Sequence, residues 1–108
     1  MASGFFAKSY RTTSQATYTD LVTHSKGDAA VSIVSMSINN PNDDGAYFDV
    51  VITEQDGVTP AHYIYYNTVI GSKTTLEGVT RYVLDNGRQL RVRSTQPGVS
   101  FYASCCTL

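Results

Sequence analysis

The sequence predicts an all-β fold, an antiparallel β-sandwich of about seven to nine strands, Ig-like or jelly-roll-like, on three observations. Apolar and polar residues alternate in twos along most of the chain. Turn-forming residues separate the alternating runs at intervals of roughly 8–14 residues. No long window carries the period of an amphipathic helix. At 108 residues there is room for one domain and one core, so residues 1–108 are read as a single sandwich.

Taken in order, Gly4 to Tyr10 is a β-rich run with weak alternation. Ala16 to Val22 places Ala16, Tyr18 and Val22 on one face, with Asp20 interrupting that face and Leu21 on the other. In Val31 to Ile38, the residues Val34, Met36 and Ile38 share a face and Ser35 and Ser37 take the opposite one. Phe48, Val50 and Ile52 share a face opposite Tyr47, Asp49 and Val51, the pattern of a half-buried strand. Ala61 to Ile70 contains the aromatic run His62-Tyr63-Ile64-Tyr65-Tyr66. Strict alternation there sets His62, Ile64, Tyr66, Thr68 and Ile70 against Tyr63, Tyr65, Asn67 and Val69. Thr74 to Leu76 and Thr80 to Leu84 read as two short strands. Leu90 and Val92 alternate with Arg91 and Arg93, a plain inside–outside pattern. Val99, Phe101, Ala103 and Cys105 alternate with Ser100, Tyr102, Ser104 and Cys106.

The breaks are turn chemistry. Asp85-Asn86-Gly87 predicts a type I′ turn, because Asn and Gly tolerate the positive φ it demands. Asn39–Gly45 reads as a polar, solvated loop, Asp56–Pro60 as another, and Lys26-Gly27-Asp28 and Gln96-Pro97-Gly98 complete the set.

Composition narrows the function classes. The chain is 42% hydrophobic and only 16% charged, with eight tyrosines, which suits pleated structure and polar contact faces. A net charge of −1 argues against nucleic acid as a partner, since phosphate binding needs clustered Lys and Arg. No run approaches the length of a membrane-spanning helix, the first residues lack the pattern of a secretory signal, and no membrane partner is expected. Charge is uneven: from Asn39 to His62 there are five acids and no Lys or Arg, whereas from Gly71 to Leu108 five bases face two acids. Arg91 and Arg93 accordingly either face an acidic neighbouring surface or form an ordinary solvated basic strand face.

Catalytic and metal-binding patterns are sparse, so no enzyme and no cofactor is expected. A hydrolase would rest on His62 alone, with Glu54 or Asp56 across a turn as its carboxylate partner. His24 falls in a Thr-His-Ser-Lys loop and is expected in solvent. Asp43-Asp44 offers oxygen ligands for Ca²⁺ without the spacing of a calcium loop, and no metal is expected. The adjacent Cys105 and Cys106 point to opposite faces of a strand, so both are expected as free thiols, one buried and one outward. The alternative for the outward thiol is an interchain disulfide. Tyr63, Tyr65 and Tyr66 are expected to form the core and subunit face of a sheet, with a sugar platform as the alternative reading, and Tyr102 is a further candidate for either contact.

The string His62-Tyr63-Ile64-Tyr65-Tyr66-Asn67-Thr68-Val69-Ile70, the later Gly98-Val99-Ser100-Phe101-Tyr102-Ala103 and the early Thr-rich Gln15–Val22 resemble small virion structural proteins of tailed bacteriophages. The resemblance runs from about Ser14 to Ala103 and departs from the pattern in the Asn- and Asp-rich loop and the Cys-Cys end. It implies a non-enzymatic capsid decoration (cement) protein, made in the host cytoplasm and carried on the capsid exterior of the virion. Its partners would be the major capsid protein or other virion proteins and copies of itself in a homo-oligomer. Tyr63, Tyr65, Arg91, Arg93 and Tyr102 are the candidate interface. The alternatives are a tail or baseplate component and a carbohydrate-recognition module of a receptor-binding protein.

Overall fold

The computed structural model describes residues 4–13 and 17–108, with Val79 and Thr80 described by their backbone alone. Among these residues there are eight strands and no helix: β1 (Phe5–Arg11), β2 (Thr19–Val22), β3 (Val31–Asn40), β4 (Ala46–Thr53), β5 (Pro60–Ile70), β6 (Thr74–Leu84), β7 (Leu90–Ser94) and β8 (Ser100–Thr107). Sheet 1 has the order β1-β8-β3-β6 and sheet 2 the order β2-β7-β4-β5, with antiparallel pairing throughout. Every connection crosses from one sheet to the other except the β4–β5 hairpin. That winding is the jelly roll, the second of the two sandwich types expected.

The inward faces meet in one apolar cluster that includes Val22, Ile33, Ile38, Phe48, Val50, Ile70, Leu84, Leu90, Val92, Val99 and Phe101. Phe48 lies edge-on to Phe101 at 6.0 Å between ring centres and tilts against Tyr65 at 5.2 Å. The Phe48–Phe101 contact ties the two sheets together across the middle of the sandwich.

Bulges overturn strict alternation at several points. A register shift between Ile33 and Ser35 leaves Val34 half-buried while Ile33 and Met36 both enter the core, so Val34 does not share a face with Met36. A similar shift after Asp20 buries Leu21 and Val22 together; Ala16 lies outside the described residues. The two short strands expected around Gly78 are one continuous strand, β6, because its backbone stays laddered to β3 through Gly78. Strand β4 is buried on both faces, not one, since Asp49 and Val51 are covered as fully as Phe48 and Val50.

The turns behave as their residues require. Asn86 (φ 55°) and Gly87 (φ 85°) both adopt positive φ, and the Arg88 N–H donates to the Asp85 carbonyl at 3.0 Å, which is the type I′ geometry. Two sites expected in solvent are instead buried ties between loops. His24 is 6% exposed; its Nδ1 accepts the Gly87 N–H (3.1 Å), which leaves Nε2 to donate to the Ala29 carbonyl (3.1 Å). The Gln89 side chain completes this tie, accepting the His24 N–H and donating to the His24 carbonyl. At the opposite end Asn40, fully buried, donates to the carbonyls of Asp44 and Gly71 and accepts the Asn42 N–H. The Asn-rich loop is thereby fastened to the β5–β6 connection, and its buried polar groups are paired.

Candidate interaction faces

The jelly roll presents two broad outer faces. On sheet 2, strand β4 runs between β7 and β5, so the outward side chain of Asp49 is flanked by Arg93 on one side and by the bulged part of β5 on the other. The bulge exists because β5 takes an extra residue between Thr68 and Tyr65, and Asn67 adopts φ 48° there. Asn tolerates that conformation better than most side chains. The freed Asn67 N–H donates to Asp49 Oδ1 at 2.5 Å.

Asp49 is buried, with 2% of its side chain exposed, and two further donors meet its other oxygen. Arg93 Nη2 lies 2.5 Å from Oδ2 and the Tyr18 hydroxyl donates to it at 2.7 Å. The Arg93 guanidinium also sits over the Tyr18 ring, 4.5 Å from its centre, where cation and π-face attract. A carboxylate withdrawn from water this way is tolerable because charged and polar donors satisfy it. Burial first, and then the hydrogen bonds to Asp49 and Tyr63, push the Tyr18 hydroxyl well above the usual tyrosine range. Arg91, one step along β7, pairs with Asp20 of β2 at 2.9 Å. Val51 is buried beside this network, outside the core cluster, with Arg91 and Tyr63 opposite it on its two neighbours.

The rest of this face is aromatic. The Tyr63 and Tyr66 rings pack edge to face with centres 4.7 Å apart, which strict alternation would forbid and the bulge at residues 66–67 allows. Tyr66 is 63% exposed. Tyr47 and Val69, a cross-strand pair, extend the exposed patch along β4 and β5.

The five candidate interface residues are therefore divided. Tyr63, Arg91 and Arg93 share the outer face of sheet 2. Tyr65 does not join Tyr63: a second register shift turns it inward against Phe48, with its hydroxyl beside Gly78. Tyr102 stands on the outer face of sheet 1, on the far side of the molecule. Instead of being left to face an acidic neighbour, both arginines are paired within the chain. Tyr66 belonged with Tyr63 and Tyr65 in the expected aromatic surface, whereas Asp49, Tyr18 and Asn67 were not among the candidates. The available signal was one acid set inside the apolar run Phe48–Ile52.

The remaining polar candidates are engaged locally. The His62 ring lies 5.5 Å from that of Tyr82 across the open edge between sheets. Asp56 is committed to its own turn: the Thr59 hydroxyl, followed by the Val58 and Thr59 N–H groups, holds its carboxyl below the ordinary range. Asp43 pairs with Lys73 at 3.2 Å. Among the described residues no cluster of three or more His, Cys, Asp or Glu is placed to hold a metal ion. Cys105 is sealed in the core and Cys106 is half-buried, both as free thiols.

No family model matches the chain, and no curated protein sequence matches it either. Solved structures do resemble it. A chain from the structure of the infectious bursal disease virus Gx strain superposes with a TM-score of 0.56 at 10% identity, covering 98% of this chain and 32% of that one. The infectious bursal disease virus VP2 subviral particle gives 0.56 at 11% identity, with the same coverage. A chain of Bacillus endospore appendages, described as disulfide-linked pili, gives 0.56 at 8% identity, covering 98% of this chain and 86% of that one. The chain spans about a third of the viral proteins' length, 32% in both cases, and most of the appendage subunit's. At such identities the likeness is one of fold: this chain is a β-sandwich of the kind found in viral capsid and appendage subunits.

Proposed function

We propose that this chain is a non-enzymatic structural subunit of a virion, and specifically a decoration protein that binds the outer capsid surface of a tailed phage alongside copies of itself. The observation that carries the structural part is the outer face of sheet 2. Its charges are already neutralised within the chain, and its centre is a packed pair of tyrosines beside an exposed apolar strip. Tyrosine-rich, charge-depleted centres are the composition of protein contact surfaces. The likeness of fold to capsid chains supports the virion setting, and the phage and decoration assignments rest on the sequence resemblance. Many copies bound to the shell would stabilise it by mass action.

Imaging native particles tests the assignment directly, since density for this chain on the shell supports it and density on the tail alone overturns the decoration reading. Particles lacking the chain are expected to release DNA at lower temperature, and unchanged heat resistance counts against it. In Tyr63→Ala/Tyr66→Ala protein that remains folded, loss of particle binding identifies the face.

A second reading, a self-assembling fibre subunit, is favoured by one observation: Cys106 lies on the outer face of sheet 1, where a second copy could reach it. Covalent multimers on non-reducing gels of native material, absent in Cys106→Ser, would support it.

A further inference from the structure

The outer face of sheet 1 carries a groove that belongs to none of the contacts above. It has a volume of about 400 Å³ and is lined by Ser35, Met36, Ser37, Glu77, Gly78, Tyr102 and Ser104. Its shape follows from the register. Tyr102 of β8 stands opposite Ser37 of β3 on one side and Ser9 of β1 on the other; Ser104 follows with Ser35 and Ala7 as its neighbours. One tall ring, 48% exposed, is thus surrounded by side chains of one or two heavy atoms. The register shift at Val34 adds twist where the floor lies. Glu77, paired with Ser37 across the β3–β6 ladder, closes the side away from Tyr102.

The polar groups of this groove are uncommitted. Thr12, His24, Asn40, Asp49 and Gln89 elsewhere in the fold are all bonded to other parts of the chain. The Ser35, Ser37 and Ser104 hydroxyls, the Tyr102 hydroxyl and the Glu77 carboxylate, by contrast, have no hydrogen-bond partner among the described residues. Half-buried hydroxyls that face a common space and bond to nothing are suited to a ligand with many hydroxyls of its own.

We infer that this groove binds a neutral sugar ring. The apolar C–H face of a pyranose stacks on the Tyr102 ring, as amphipathic surfaces do on aromatics. The serines both donate and accept, which matches sugar hydroxyls, and the Glu77 carboxylate accepts from a hydroxyl pair. No Lys or Arg lines the groove, and Glu77 repels negative charge, so acidic sugars and phosphate are excluded. The volume falls in the range of ligand sites. The inference is independent of the virion reading: it concerns the opposite face and stands or falls on different residues.

The test is an amide chemical-shift titration of the whole protein with neutral methyl glycosides of glucose, galactose, mannose and N-acetylglucosamine, with methyl glucuronide as the acidic probe. Shifts centred on Ser35, Ser37, Gly78, Tyr102 and Ser104 are expected for at least one neutral glycoside, with a Kd on the order of millimolar. Tyr102→Ala should weaken it at least about tenfold, as expected when the stacking partner is removed, while Tyr63→Ala leaves it unchanged. If Tyr102→Ala perturbs folding, Ser104→Leu plugs the groove from an outward position and should abolish the shifts. Silence from all four glycosides, shifts centred on Tyr63 and Tyr66, or equal binding of methyl glucuronide would each overturn the inference. So would a protein partner cross-linking to these residues without any glycoside response.

Discussion

Asp49 is the residue whose removal should cost most for its size. Asp49→Ala deletes the acceptor for three donors: the Arg93 guanidinium, the Tyr18 hydroxyl and the Asn67 N–H. Breaking a buried ion pair costs about 3–5 kcal/mol when the orphaned charge stays buried. Arg93 keeps 32% of its side chain exposed and can turn to water, so its share is smaller. The Asn67 N–H is held in a bulge, and leaving it without an acceptor costs about 1–3 kcal/mol. A total of about 3 kcal/mol follows, which lowers the Tm of a domain this size by about 12 °C. Asp49→Asn keeps an oxygen for the Asn67 N–H but sets an amide NH2 against the Arg93 and Tyr18 donors, so it should recover only part of the loss seen in Asp49→Ala. Thermal unfolding followed by circular dichroism measures both. A cycle with Arg93→Gln should return a coupling of about 1–3 kcal/mol between the two side chains. If Asp49→Ala lies within about 0.5 kcal/mol of wild type, the ordinary range for surface changes, Asp49 does not organise this face.

Three further outcomes are expected. Tyr18 has a raised folded-state pKa, so its stabilising contribution is complete below the unfolded tyrosine value near 10 and is lost as pH rises beyond it. An ultraviolet titration should show a late phase that Tyr18→Phe removes; a titration unchanged by Tyr18→Phe at its alkaline end would contradict the burial of this hydroxyl. Burial, only partly offset by Lys8, raises the Cys105 thiol, so a thiol reagent near pH 8 should place a single adduct on Cys106 until the chain unfolds. Equal labelling of both in the folded protein would mean that β8 opens. His24→Ala should cost about 1–3 kcal/mol by leaving the Gly87 N–H and the Ala29 carbonyl unpaired. Faster hydrogen exchange at Gly87 reports the same loss locally, and an unchanged urea midpoint would refute it.

Strand β7 shows where sequence reading works. Leu90, Val92 and Ser94 are buried and Arg91 and Arg93 point outward, because the strand runs unbroken between two neighbours and period two is all that is needed. Strand β5 shows where it fails. Its aromatic run is the most distinctive segment of the chain, yet three register shifts against β4 decide which rings face solvent. Tyr63 and Tyr66 come together and Tyr65 turns inward, a sorting that an alternating pattern inverts. His24 and Asn40 fail for a related reason. Their polarity suggested solvent, whereas each is buried as the hydrogen-bond hub for loops distant in the chain.

By itself, the sequence determined the all-β class, the positions of most strands and the sharp turn at Asp85–Arg88, since alternation and turn preference act over a few residues. Only the tertiary structure decided the jelly-roll strand order, the bulge at Asn67, the burial of Asp49 and the separation of Tyr63 from Tyr102 onto opposite faces. Those features depend on pairing between residues such as Asp49 and Arg93, far apart along the chain. A side chain's partner, and so its face, is set by which strand lies beside it, and no local pattern specifies that.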